Sequence, residues 1–324
     1  MEIAGSIIFN VGILFIMMIP GILLKKCKLC PDGFGKGISN LVLYIAQPAL
    51  IFRAYLKEYS FEILKNSLIV LFLSIIAHCV FLIALLFFKK ENEDRKRMLR
   101  FATIFSNAAF MGIPLIEAVL GSEYTIYASI YNITFNMFLW TLGVHICTKD
   151  NVLDDGTVLK SEASFKKAIF HPVTLAAALG LVFFFAPIHT YVPELITQSL
   201  TMVANLVAPL SMLVLGLRIA EIDLRGFFTN KSLYVFLALR HIALPAIVFI
   251  IMWGLYALGM PITPEIFKVI IMMASAPAAS SATMFAEKYD CDAAYVSKLV
   301  AVSTILSILT MPLLALPIDM IYTI

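Results

Sequence analysis

The chain has 324 residues, of which 61% are hydrophobic and 14% charged, and 24 Lys and Arg against 21 Asp and Glu leave a net charge of +3. Soluble globular domains have an apolar share nearer about 45 to 50%, so the composition excludes that class and points to a membrane protein. The small positive balance is a sum over loops and does not suggest a nucleic-acid partner, which would need a basic face on a folded soluble domain.

A bilayer-spanning helix needs about 20 mainly apolar residues. Ten segments meet this: 3–24, 37–55, 62–88, 99–120, 124–148, 168–188, 194–219, 231–257, 265–286 and 292–321. The first lacks a preceding basic residue and a small-residue cleavage signal, so it is read as a span and not as a secretory signal. It runs into the turn GILLKKCKLCPDGFG, where Cys27 and Cys30 form a CxxC with no second pair to complete a zinc site. No metal and no cofactor are expected. Cys79, Cys147 and Cys291 are read as small packing residues.

The second segment carries Gln47 and Pro48 near its middle, read as another helix break, and the third carries His78 well inside. The fourth holds SNAAFMGIPLIEAVLG, in which Asn107, Gly112 and Pro114 interrupt an otherwise apolar helix. Asn132 and Asn136 in the fifth are four apart and share one face. Residues 149–167 form a charged connection too short for a soluble domain. The seventh segment has Asn205 and Pro209, the eighth Arg240 and His241, and the ninth ASAPAASSATMFAEKYD with Ser275, Pro277 and Ser280.

Pro48 precedes Pro114 by 66 residues and Pro209 precedes Pro277 by 68, which reads as an internal repeat. Five helices per copy is an odd number, so the second copy enters the membrane in the opposite sense. The expected fold is therefore all-α, with ten transmembrane helices arranged as two inverted five-helix repeats, 1–148 and 168–324, joined by 149–167. Helices four and nine are expected to be discontinuous and to cross, with breaks at Pro114 and Pro277. Freed backbone groups are tolerated in the hydrocarbon only where protein buries them or a cavity is lined, and carriers of this build hold substrate at the repeat interface. Half-helix N-termini there would attract an anion.

Orientation follows from Lys and Arg in short loops. With the N-terminus outside, inner loops hold eighteen of the twenty-four basic residues. Both termini are thus placed outside a cell membrane crossed many times.

The polar residues admit two readings each. Asn107, Asn132, Asn136, Gln47, Ser275 and Ser280 either line a substrate cavity or make interhelical hydrogen bonds, and hydroxyls can also repair backbone groups freed by proline. Intramembrane ionisable groups are functional candidates. His78 and Arg240 are candidates for ion coupling, while Arg240 is favoured to snorkel or to pair with Glu221 or Asp223. Glu117, Lys268 and Lys298 are expected at the membrane interface. There is no HExxH, no GxSxG and no phosphate loop, so an enzyme is not expected.

The runs GILLKKCKLCPDGFGKGISNLVLYIAQPALIF, SNAAFMGIPLIEAVLG, YASIYNITFNMFLWTLGV and SAPAASSATMFAEKYDCDAAYVSKLV resemble the auxin efflux carrier family over nearly the whole chain. The NxxxMGIPL and FAxxY stretches are the most specific. The resemblance implies a ten-helix carrier with crossed helices four and nine. Asn107 matches the amide that faces a carboxylate in the plant carriers, Pro114 and Pro277 match their crossing prolines, and Asn136 stands where they have a glutamine. Two features of the plant carriers are missing here: their long loop between helices five and six, and their acidic and basic pair early in helix three. The chain is more similar to microbial members taken to move small organic anions such as malate or malonate.

The expected function is a permease moving a small organic anion by alternating access. A proton- or sodium-coupled carrier and a non-transporting ligand sensor are the alternatives. The expected partners are the anion and the lipid bilayer, with a homodimer left open.

Overall fold

The computed structural model describes residues 2–31, 33–148, 165–222, 227–289 and 291–322. Among them every regular element is helical. In chain order these are α1 (Glu2–Ile16), α2 (Ile19–Lys26), α3 (Phe34–Tyr55), α4 (Phe61–Leu86), α5 (Glu93–Ile104), α6 (Ala108–Leu120), α7 (125–147), α8 (Phe165–Ile169), α9 (Pro172–Phe185), α10 (Glu194–Ala220), α11 (Lys231–Ala257), α12 (Pro264–Ser275), α13 (Ser281–Lys288) and α14 (Ala293–Tyr322).

Six stretches among the described residues are single helices long and apolar enough to cross a bilayer: Phe9–Lys26, Phe34–Tyr55, Phe61–Leu86, Glu194–Ala220, Lys231–Ala257 and Ala293–Ala315. The fourth and ninth predicted segments fall short because each is cut in two, and α9 has only 14 residues. Polar side chains start several helices. Asn92 accepts the Arg95 N–H at 2.9 Å ahead of α5, and Thr263 accepts that of Ile266 ahead of α12, where Pro264 lacks a donor the first turn would leave idle. Gly121, at φ 108°, ends α6 in a conformation that side chains resist.

Prolines leave a repeated mark. In α3, α6 and α11 a five-residue π turn ends immediately before an X–Pro pair: Val42–Ala46 before Gln47 and Pro48, Ala108–Gly112 before Ile113 and Pro114, Leu239–Ala243 before Leu244 and Pro245. In all three the residue preceding proline donates five residues back, Gln47 to Val42, Ile113 to Ala108 and Leu244 to Leu239. Widening the turn relieves the clash of the ring with the carbonyl one α-turn earlier.

This corrects two expectations. The chain does not break at Gln47 and Pro48, where α3 runs on. It does not break at Pro114 either; the interruption is Phe105–Asn107, seven residues before that proline, while Pro277 does lie in its own gap of Ala276–Ser280. The proline spacings therefore do not relate the two gaps.

Packing is close where side chains are small. A Cβ on Gly21 would strike the Leu213 carbonyl and one on Gly216 that of Met18, so α2 and α10 meet backbone to backbone. α9 lies against α3, with Gly180 under the Tyr55 ring and Phe52 edge-on to Phe183 at 5.1 Å. α4 packs on α7, joined by Ser74 and Thr134 hydroxyls at 2.8 Å, and α12 packs on α14.

Candidate functional site

The two gaps are hydrogen-bonded to each other. Asn107 donates its backbone N–H to the Pro277 carbonyl at 2.7 Å, and Ala279 donates to the Phe105 carbonyl at 2.9 Å, an antiparallel bridge centred on Ser106 and Ala278. Each gap thus answers part of the other's loss of helical bonds, as buried backbone requires. The Ala278 N–H is taken by Ser303 Oγ of α14 at 2.9 Å. His241 joins the same chain, with Nε2 at 2.8 Å from Ser303 Oγ and Nδ1 at 3.0 Å from Thr310 Oγ1.

Arg240 is buried completely, at 0% exposure, and neither snorkels nor meets Glu221; Asp223 lies outside the described residues. Its Nη1 donates to the carbonyls of Thr103 and Ile104 at 3.0 and 3.3 Å, where α5 ends. Its Nη2 donates to Ala274 and Ala276 at 3.0 and 2.5 Å and its Nε to Ala276 at 3.1 Å, where α12 ends. The Phe81 ring lies 4.7 Å below the guanidinium carbon. The expectation failed because the carbonyls that hold this cation belong to distant segments, whereas snorkelling was judged from its depth in its own helix.

Gln47 has an equally local cause. In π register the donor missing at Pro114 would have served the Ala109 carbonyl, and Gln47 Nε2 donates there instead at 2.5 Å. The amide repairs the helix across a sequence separation of 62 residues, leaving its Oε1 without a partner.

The other predicted binding residues are all buried, and main-chain bonds join Asn107 to Pro277 and to Gly112. Asn107 ends the first gap with its Nδ2 unpartnered, Asn132 in α7 has an unpartnered Oδ1, and Asn136 is buried one turn on. Gly112 faces Met273, whose sulfur a Cβ would crowd. Ser275 Oγ donates to Met272 of its own helix at 3.3 Å, while Ser280 Oγ has no partner. His78 bonds its Nδ1 to the Ser74 carbonyl of its own helix at 2.7 Å and stacks on Phe138 at 5.1 Å. Lys268, near the start of α12, is buried against the protein.

Above this cluster lies an open cavity of about 870 Å3. None of the nine predicted binding residues is on its wall. It stops about one turn short, at Leu43, Trp140 and Thr283, and its rim carries Lys25, Lys36, Arg218, Lys288 and Lys298 against Glu221 and Glu287. Arg218 Nη1 donates to the Ser280 carbonyl at 3.0 Å, so one cation connects the cavity to the second gap. Trp140 Nε1 is a further unpartnered donor beside it. Sequence reading missed Trp140 and Arg218; the signal for Arg218 was its place at the end of an apolar run, where it was counted only as a loop charge.

The opposite end of α3 carries an ion pair, in which Arg53 meets Glu117 of α6. Arg53 also donates to Asn205 Oδ1 at 3.1 Å, and Lys57 Nζ reaches the Glu123 carbonyl at 3.1 Å. Burial holds the Lys57 ammonium below its ordinary pKa, partly offset by Glu123.

Charge is therefore divided at the paired gaps. The C-terminal ends of α5 and α12 receive a protein cation. The starts of α6 and α13, whose first N–H groups find no partner inside their own helix, have beside them the free amide of Asn107 and the hydroxyl of Ser280.

The family model described as "Membrane transport protein" matches residues 6–315. An uncharacterized transporter of Methanocaldococcus jannaschii is 25% identical over 310 residues, covering 93% of this chain and 95% of that protein. Another, of Methanothermobacter thermautotrophicus, is 26% identical over 300 residues, covering 92% and 94%.

Proposed function

The chain belongs to the membrane transport protein family, that of the auxin efflux carriers, and on that premise we propose that it carries a small organic anion, such as a carboxylate, by alternating access. The observation that carries the reading is the division of charge at the paired gaps. The C-terminal helix ends are neutralised by Arg240, whereas an unpartnered amide donor stands at the start of α6. A carboxylate is the ligand that helix N-termini and such a donor recognise. The basic rim of the cavity would raise the local concentration of anions.

In this reading the fold is two inverted five-helix repeats, residues 1–148 and 168–324, with 149–167 between them. The reciprocal bonds about Ser106 and Ala278 support it, since a local two-fold would relate them. α4 to α7 and α11 to α14 form the body that moves, and α1 to α3, α9 and α10 the scaffold. The cavity opens among Lys25, Lys36 and Lys288, which the positive-inside rule assigns to the cytoplasm. The conformation is then inward-facing, with Arg53 and Glu117 closing the outer side, and both termini are outside. Asn107, Gly112, Pro114, Gln47, Asn132, Asn136, Ser275, Pro277 and Ser280 form or support the substrate position one turn beyond the cavity floor.

The test is uptake of radiolabelled mono- and dicarboxylates into proteoliposomes. Asn107→Ala is expected to remove uptake while the melting midpoint stays near that of the parent. Full uptake by that variant would sink the site assignment, and stabilisation by a carboxylate with no flux would favour a sensor instead.

A further inference from the structure

Where carriers have broken helices, the C-terminal half-helix ends and unwound carbonyls are what coordinate a coupling sodium ion. In this protein those groups are already engaged. Thr103, Ile104, Ala274 and Ala276 direct their carbonyls at one guanidinium, and the five bonds they accept use the five donors it has. A helix C-terminus carries roughly half a negative charge, so two of them balance one arginine. A metal ion added here would bring a second positive charge beside the first. Among the described residues no group of three or more His, Cys, Asp or Glu is placed to hold a metal.

We propose that Arg240 is a resident cation that occupies the cation position of the crossing, so that this carrier works without a coupling sodium ion at that place. The proposal rests on the carrier reading for its meaning, and it deepens that reading by removing one energy source from it. Because Arg240 belongs to α11 and its acceptors to α5 and α12, the cation also ties three helices of the moving body together and stays with them throughout the cycle. It is a positioning residue, not a ligand of the substrate.

The test uses the purified full chain, with 22Na+ as the probe and melting midpoints compared in sodium chloride and N-methyl-D-glucamine chloride at equal ionic strength. The parent protein and Arg240→Lys are expected to show no saturable 22Na+ binding and the same midpoint in both salts. Arg240→Met removes the charge but keeps the stem, and it is expected to gain a saturable, sodium-specific rise in midpoint as the freed carbonyls accept the ion. Saturable 22Na+ binding by the parent protein would overturn the proposal, as would a folded Arg240→Met variant indifferent to sodium. If Arg240→Met does not fold, the parent protein and Arg240→Lys decide: sodium binding by either refutes the proposal, and its absence in both supports it. No organic anion enters this assay, so failure of carboxylate uptake would refute the carrier reading alone.

Discussion

Asn107 gives its backbone N–H to Pro277 at 2.7 Å while its side-chain Nδ2 is buried with no partner. The main chain is held by the facing gap, and the amide is left for something else. An unpartnered buried donor is costly, by about 1 to 3 kcal/mol, and a ligand that accepts from it would recover that loss. Asn107→Asp tests this with little change of shape. A carboxylate about 4 Å from a bound anion at an effective dielectric near 20 repels it by roughly 4 kcal/mol, so carboxylate binding should fall by about a thousandfold. Stabilisation of the melting midpoint by added carboxylates measures it, and unchanged stabilisation would contradict the assignment.

The pair of Arg53 and Glu117 joins α3 to α6 across the proposed boundary between scaffold and moving body, with side chains 17% and 22% exposed. A hydrogen bond to a charged partner contributes about 1.5 to 3 kcal/mol. Glu117→Gln should therefore shift the balance towards an outward-open form by roughly tenfold or more. In a background without native cysteines, a cysteine at buried position 47 should react faster with an impermeant maleimide added from the outer side when Glu117→Gln is present. Equal rates with and without that change would show that the pair is no gate.

Rim charges of the cavity should act on capture and not on the crossing step. Lys36 and Lys298 both line it. Charge reversal at both is expected to raise KM roughly threefold to tenfold, corresponding to about 1 kcal/mol, with kcat unchanged. The effect should shrink as salt is added, because these groups face water and are screened. A fall in kcat at constant KM would place them elsewhere in the cycle.

Contact between α2 and α10 should be intolerant of a single methyl group. Gly21 and Gly216 each face a backbone carbonyl of the other helix, and rigid main chain yields less than a side chain would. Gly216→Ala is expected to destabilise the protein by about 1 to 3 kcal/mol, seen as a lower melting midpoint. Gly12→Ala, where nothing lies within 4 Å, is the control and should leave the midpoint in place.

Much of the architecture was legible in the chain because its causes are local. Apolar runs mark helices, and the clusters around Ser106 and Pro277 mark where two of those helices stop. Asn107, Gln47 and Arg240 stood out for the same reason, as polar groups in greasy surroundings. What could not be read was their role. Gln47 makes the interhelical hydrogen bond that was one of its two readings, but its acceptor, a carbonyl freed by Pro114, could not be named from the chain. The first break was assigned to Pro114 because proline is the strongest local punctuator, yet a π turn absorbs that proline and the chain opens earlier.

The sequence by itself determined a membrane-embedded helical protein, the approximate helices, and two interrupted segments bearing small and polar residues, since burial in lipid constrains each helix-length stretch separately. Only the tertiary structure decided which carbonyls and donors were left over and what met them. Thr103 and Arg240 are 137 residues apart, and no periodicity within a helix encodes such a partner. In the absence of water the backbone of a broken helix must be satisfied by whatever folds against it, and here that is a second gap on one side and a single arginine on the other.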